Sequence, residues 1–194
     1  MTPGPSRRDT RVLLVCTGNV CRSPAAELLL RSALDAVGAA GVVVTSAGTR
    51  ALVGEPVHPP MAQLLEDAGA PTGSFTARQL TAQDVRDADL VLALAREHRS
   101  AVVTLVPGAL RRSLLLSEAA AAAAAAQHAG WPVGPGHTAA ARLGSLPALA
   151  SRHRAPDRAA AVDVPDPYRG PEEVYRASFQ LVRDTVDQLV RALR

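Results

Sequence analysis

A short apolar run at residues 11–15 feeds directly into the turn-forming octapeptide Cys16-Thr17-Gly18-Asn19-Val20-Cys21-Arg22-Ser23, and Pro24 then opens a stretch of helical spacing. This junction constrains the fold more than any other feature of the chain. An apolar run of that length before a Gly-containing turn reads as a strand. Ser23 followed by Pro24 is a helix-start signal, with Ser at the N-cap and Pro at the first helical position. Ala26, Leu29, Leu30, Ala33, Leu34 and Val37 recur at the spacing of one helix face. Glu27 with Arg31, and Arg31 with Asp35, are spaced to pair along the exposed face. Gly38 and Gly41 end this helix, and residues 42–45 read as a second strand.

The alternation continues down the chain. Residues 46–60 read as loop and 61–68 as a helix stopped by Gly69. Residues 88–93 hold a third strand, 96–105 a helix ended by Pro107, and 112–116 a fourth strand. Eight consecutive alanines at 119–126 propagate a helix, because Ala has the highest helix propensity, and carry no chemical group. A Pro/Gly break at 130–136 surrounds the only Trp, Trp131. Residues 138–151 read as another helix and 152–158 as a basic linker. In the last helix Val174, Ala177, Ser178, Leu181, Val182, Thr185, Val186, Leu189 and Val190 share one face. Strands alternating with helices imply an α/β protein with parallel pairing and right-handed crossovers. The expected organisation is a disordered lead-in at 1–10 and one domain at 11–194, with a helical insertion within 127–161.

Composition narrows the functional classes. The chain is 47% hydrophobic but only 3% aromatic, so its core must be built from Ala, Leu and Val. No apolar run approaches the roughly 20 residues of a membrane span, and the first residues have no secretory apolar stretch; a cytoplasmic location and no membrane partner are expected. All 21 basic residues are Arg, which together with the Ala content points to a GC-rich, bacterial coding sequence. A net charge of +3, with no basic block interleaved with aromatics, argues against nucleic acid as a partner. Cys16 and Cys21 make neither a disulfide framework nor a four-ligand zinc site. Close-spaced cysteines in a cytoplasmic chain mean chemistry or redox sensing. His58, His98, His128, His137 and His153 lack ligand spacing and read as surface or structural groups. No metal and no cofactor are called for.

The octapeptide carries the chemistry. Its backbone N–H groups can wrap one tetrahedral oxyanion, and the helix N-terminus adds partial positive charge at the same point. Gly18 and Asn19 tolerate the left-handed backbone that a tight anion nest uses. Arg22 offers a planar fork that matches two phosphate oxygens. The same field favours the thiolate of Cys16, which then sits beneath a bound phosphate for in-line attack. Ser23 is placed to donate to that sulfur and stabilise it as a leaving group.

The stretch V-C-T-G-N-V-C-R-S-P at 15–24 closely resembles the signature of the low-molecular-weight protein tyrosine phosphatases. Ser46-Ala47-Gly48-Thr49 resembles the family's segment after strand two. Ala77-Arg78-Gln79-Leu80 and Asp89-Leu90-Val91-Leu92 resemble its middle, and Asp166-Pro167-Tyr168 its late acid loop. The resemblance implies a three-layer sandwich with a central four-stranded parallel sheet flanked by helices. It implies a phosphocysteine on Cys16, with Asp166 protonating the leaving oxygen and then activating water, and Arg22 with the loop amides holding the equatorial oxygens. Thr17, Gly18, Asn19, Val20, Cys21 and Ser23 would make the phosphate-binding loop. Asn19 would organise it with Ser46, while Leu52 and Tyr168 would line the substrate slot. Cys21 has two readings, plain packing or a disulfide with Cys16 under peroxide. Asp163 is the other candidate acid. Asp166 is preferred because it sits in the Asp-Pro-aromatic match and prolines stiffen the loop on both sides of it.

Leu52 stands where the family often has an aromatic, and Arg169 where a second aromatic or Gly is common. The implied substrate is a phosphorylated protein, with phosphotyrosine favoured. One rival is protein-arginine phosphatase, whose members resemble this loop but carry Thr where Val20 stands. A second is arsenate reduction with an external thiol on the same fold, and a third is a phosphate-binding module without turnover. Oligomeric state is not legible.

Overall fold

The computed structural model describes residues 9–132, 138–152 and 161–194. The elements run β1 (Thr10–Cys16), α1 (Arg22–Ala36), β2 (Val42–Gly48), α2 (Pro59–Asp67), α3 (Ala82–Asp87), β3 (Leu90–Ala93) and α4 (Arg96–Leu105). A 3₁₀ turn (Pro107–Arg112), β4 (Ser113–Leu115), α5 (Leu116–Ala129), α6 (Ala139–Arg152) and α7 (Glu172–Ala192) follow. The four strands form one parallel sheet in the order β2-β1-β3-β4. Thr10 pairs with Val42 and Cys16 with Gly48, so the C-terminal ends of β1 and β2 finish level.

The sheet is buried on both faces, as a parallel sheet with helical crossovers must be. Side chains alternate along β1. Val12, Leu14 and Cys16 face a core shared with α1, α2, α5, α6 and α7. Leu13 and Val15 face a smaller core that Val85 of α3, Val102 of α4 and Ala109 close. Helices therefore cover both faces and the result is a three-layer sandwich. The alanine run serves close packing: Ala119, Ala120, Ala122, Ala123 and Ala126 are buried, and small side chains let α5 lie close against α7.

Several sequence-based boundaries shift. Strand β2 runs three residues past its expected end, so Ser46 lies on the sheet rather than in a loop. Thr10 is already paired in β1, one residue ahead of the expected domain start; residues 1–8, 133–137 and most of the expected basic linker lie outside the described residues. Glu27 was expected on an exposed face of α1. It is buried beside Ser46 and meets Arg31 at 2.7 Å, and burial raises its pKa. Among the described residues no helix is long and apolar enough to cross a membrane.

Candidate active site

Cys16 is the last residue of β1 and Arg22 the first of α1, so the five residues between them turn the chain at the C-terminal edge of the sheet. That edge is where open α/β sheets bind ligands. The expected cap is not made: the N-cap position is Cys21, with no side-chain cap bond. Ser23 lies inside the first turn instead, and its Oγ is 2.9 Å from Cys16 Sγ. The same Oγ accepts from Asn19 Nδ2 at 2.9 Å. With that lone pair engaged, the Ser23 hydroxyl is free to donate its proton to sulfur. The backbone N–H of Asn19 also donates to Cys16 Sγ, at 3.3 Å. Among the described residues, the amides of Gly18, Val20 and Cys21 have no protein acceptor. They are left free for an anion.

Asn19 is the hub of the loop. It is fully buried with φ 55°, a left-handed conformation that Asn tolerates better than most residues. Gly18, its expected companion in that region, is not there. Asn19 Nδ2 also donates to Ser46 Oγ at 2.8 Å, and its Oδ1 accepts from the Arg78 backbone N–H at 2.9 Å. One side chain thus ties the loop to β2 and to the segment ahead of α3. Gly48 completes this support. A Cβ there would lie 2.5 Å from the Thr17 carbonyl oxygen, closer than packing allows. The segment after it laces onto the loop, with Thr49 N–H donating to Cys16 O and Leu52 N–H to Gly18 O.

Arg22 is only 3% exposed, and its Nη2 meets Asp166 Oδ2 at 2.8 Å. Asp166, 144 positions away in the chain, is held in the segment between α6 and α7. Val164 N–H anchors that segment by donating to Leu94 O, and Tyr168 N–H donates to Asp166 Oδ1. Asp163 points elsewhere. Its Oδ1 accepts from the Arg96 N–H and its Oδ2 pairs with the Arg96 guanidinium, both at 2.9 Å. It caps α4, whose own N-cap residue, Ala95, has no side chain able to do so. The geometry therefore separates the two candidate acids: Asp166 faces the loop and Asp163 is spent on a helix end.

Cys16, Arg22, Val20, Leu52, Asp166 and Tyr168 line one cavity of about 190 Å³, and Thr17, Gly18 and Cys21 border it. Arg50, which sequence reasoning did not single out, lines it too. Tyr168 is held by an edge contact with His58, ring centroids 5.3 Å apart. His58 Nδ1 in turn lies 2.9 Å from the Tyr175 hydroxyl, and the His58 N–H donates to Val20 O. This chain of contacts links Tyr168 to the loop between β1 and α1 and to α7.

His98 was expected to be a surface or structural group and is 1% exposed. Its Nε2 lies 3.0 Å from Thr17 Oγ1, under the loop. Burial, then the neighbouring Arg22 cation, pushes its pKa down to about 4. Cys21 is also buried, and burial followed by the nearby Cys16 pushes its thiol up to about 12. Both cysteines are free thiols. Among the described residues no cluster of His, Cys, Asp and Glu is arranged to hold a metal ion.

Three findings place the chain among known proteins. The family model described as low molecular weight phosphotyrosine protein phosphatase matches residues 11–128. The low molecular weight protein-tyrosine-phosphatase Etp of Escherichia coli (strain K12) is 37% identical over 107 residues, covering 55% of this chain and 69% of that relative. Among solved structures, the low molecular weight protein tyrosine phosphatase from T. tengcongensis superposes with a TM-score of 0.68 at 27% identity, covering 94% of this chain and 99% of the other. The YwlE arginine phosphatase from Geobacillus stearothermophilus superposes with a TM-score of 0.64, also at 27% identity, covering 94% and 91%.

Proposed function

The chain belongs to the low molecular weight phosphotyrosine protein phosphatase family, a family of cysteine-dependent phosphatases, and we propose that it hydrolyses phosphotyrosine in cytoplasmic proteins with Cys16 as nucleophile and Asp166 as acid and base. The observation that carries this reading is convergence. A thiol, a buried guanidinium and a half-exposed carboxylate meet in one slot with an aromatic wall.

Arg22 is paired with Asp166. An incoming phosphate takes both arms of the Arg22 fork and the free loop amides, so Asp166 is released toward the leaving oxygen and, no longer paired with the cation, takes up a proton from solvent. Cys16 Sγ attacks phosphorus in line, forming an S–P bond as the P–O ester bond breaks. The departing aryloxide takes the proton of Asp166. Asp166, now a carboxylate, takes a proton from water, whose oxygen attacks the phosphocysteine. The S–P bond breaks and the thiolate returns, stabilised by Ser23 Oγ and the Asn19 N–H.

Phosphoarginine is the second reading, and the superposition on YwlE is what favours it. Val20 weighs against it. At the slot wall it offers only apolar contact, and a guanidinium would lose hydration there without gaining a hydrogen bond. Tyr168 instead presents a ring for an aryl group to pack on. Catalytic efficiency on matched phosphotyrosine, phosphoarginine and phosphoserine peptides tests the assignment. Phosphotyrosine is expected to lead, and Val20→Thr to move the preference toward phosphoarginine. A native preference for phosphoarginine overturns the substrate class and leaves the Cys16 chemistry standing.

A further inference from the structure

We propose that Arg50 and Arg169 form an anion subsite at the mouth of the slot that selects phosphotyrosine flanked by acidic residues. The inference rests on the phosphotyrosine reading above and adds the sequence context of the substrate.

The two arginines stand on the two loops that wall the slot. Arg50 lies in the segment after β2 and lines the cavity directly; its backbone N–H donates to the Thr17 carbonyl, which fixes it against the phosphate loop. Arg169 follows Tyr168, and its guanidinium lies 5.1 Å from the centroid of that ring. Its backbone is in the left-handed region, φ 59°, a conformation that disfavours a side chain. The conformation is maintained by an N–H bond to the buried Tyr175 hydroxyl. A residue held there against its preference is aimed rather than left to wander, and cation–π contact keeps the charge at the slot wall.

Among the described residues, the surrounding carboxylates are engaged with other arginines. Arg22 faces Asp166, and Arg96 faces Asp163. Neither Arg50 nor Arg169 has a carboxylate within ion-pair distance among the described residues. Glu55 shares the Arg50 loop but does not line the slot. The phosphate itself is met deeper, by Arg22 and the loop amides. The rim cations therefore remain for what surrounds the phosphorylated residue. When the ring of a phosphotyrosine fills the slot, its peptide backbone lies across the mouth, and side chains one or two positions away reach the rim. Carboxylates there would be attracted, and Lys or Arg repelled.

The test is kcat/KM on three matched phosphotyrosine peptides with acidic, neutral or basic flanks, with a small aryl phosphate measured alongside. The acidic peptide is expected to exceed the neutral one by roughly three- to tenfold, the return of one or two exposed ion pairs. The difference should sit mainly in KM. It should shrink as salt rises from about 0.1 M toward about 1 M, where the screening length falls from about 10 Å to about 3 Å. Arg50→Glu and Arg169→Glu should each lower the acidic-to-neutral ratio, and the double variant should invert it. Should Arg169→Glu fail to fold, Arg169→Asn removes the charge with a residue that accepts positive φ. Equal efficiency on all three native assays, or a ratio unmoved by these variants, overturns the subsite. Loss of the small aryl phosphate as a substrate overturns the phosphatase reading itself, so the two failures are distinguishable.

Discussion

Asn19 is the residue whose loss should unmake the site while leaving every group that touches the substrate in the sequence. In Asn19→Ala three hydrogen bonds disappear: to Ser23 Oγ, to Ser46 Oγ and from the Arg78 N–H. All are buried or nearly so. At about 1 kcal/mol net for each bond, they sum to about 3 kcal/mol. Ala must also hold the left-handed φ of 55°, which adds about 1 kcal/mol. The expected destabilisation is about 4 kcal/mol, a large share of the roughly 5–15 kcal/mol that holds a domain together. Chemical denaturation followed by far-UV circular dichroism reads it as a shifted midpoint at unchanged slope. Asn19→Asp separates support from catalysis. The carboxylate keeps the Oδ1 acceptor and tolerates the backbone, so its stability loss should be smaller. Where Nδ2 donated, however, an oxygen now accepts. The Ser23 proton turns toward it and away from Cys16 Sγ, and a second negative charge sits near the thiolate. The Asp variant should therefore fold well and show a kcat lowered by tenfold or more, about 1.4 kcal/mol of transition-state stabilisation. A loss below about 1 kcal/mol in Asn19→Ala, or a near-native kcat in Asn19→Asp, would refute the hub argument.

Other consequences follow from the same geometry. Gly48→Ala places a Cβ 2.5 Å from the Thr17 carbonyl oxygen, which is backbone and cannot swing away; an overpacking cost of about 1–3 kcal/mol and a raised Ki for inorganic phosphate are expected, and native phosphate affinity would contradict it. His98 stays neutral in the folded protein down to about pH 4 while the unfolded chain protonates near 6.5. Stability should therefore fall as pH drops from about 6.5 to 4, and His98→Asn should flatten that part of the profile; identical slopes in both proteins would show that His98 does not govern it. Asp166→Asn should slow aryl phosphates with poor leaving groups far more than those with good ones, since a weakly basic leaving oxygen needs little protonation. If Asp163→Asn steepens the leaving-group dependence instead, the acid has been misassigned.

The junction of β1 and α1 was legible because its signals are local. An apolar run, a turn and a helix-start pair lie within fourteen residues, and Pro107 marks the end of α4 at Leu105 in the same local way. Helix α3 was missed. It has six residues, too few for an apolar period, and its signal is the reciprocal Thr81–Asp84 capping box. Only the N-cap role of Ser23 fails, because Ser-Pro reports a helix start without fixing which residue caps it; here Cys21 takes the N-cap position, and the Ser23 hydroxyl meets the Cys16 sulfur while accepting from the Asn19 amide. The burial of His98 under Thr17 and the aim of Asp166 at Arg22 depend on chain segments that meet only after folding. No spacing rule spans such separations. The Asp-Pro-aromatic resemblance and the prolines on both sides favoured Asp166, with Asp163 as the other candidate.

The central claim is that phosphate passes through Cys16. Rapid acid quench of the protein during turnover of an aryl phosphate, followed by peptide mapping under conditions that preserve phosphocysteine, measures this directly. Asp166→Ala with an aryl phosphate whose leaving group is already a weak base is the form to use, because that group departs with little protonation while loss of the residue that activates water slows hydrolysis of the intermediate and lets it accumulate. The account predicts covalent phosphate on the peptide containing Cys16 and none on Cys21, whose thiol stays protonated at neutral pH with its pKa pushed up to about 12. Phosphate on any other residue, or steady turnover by a Cys16→Ser variant at the native rate, would contradict it.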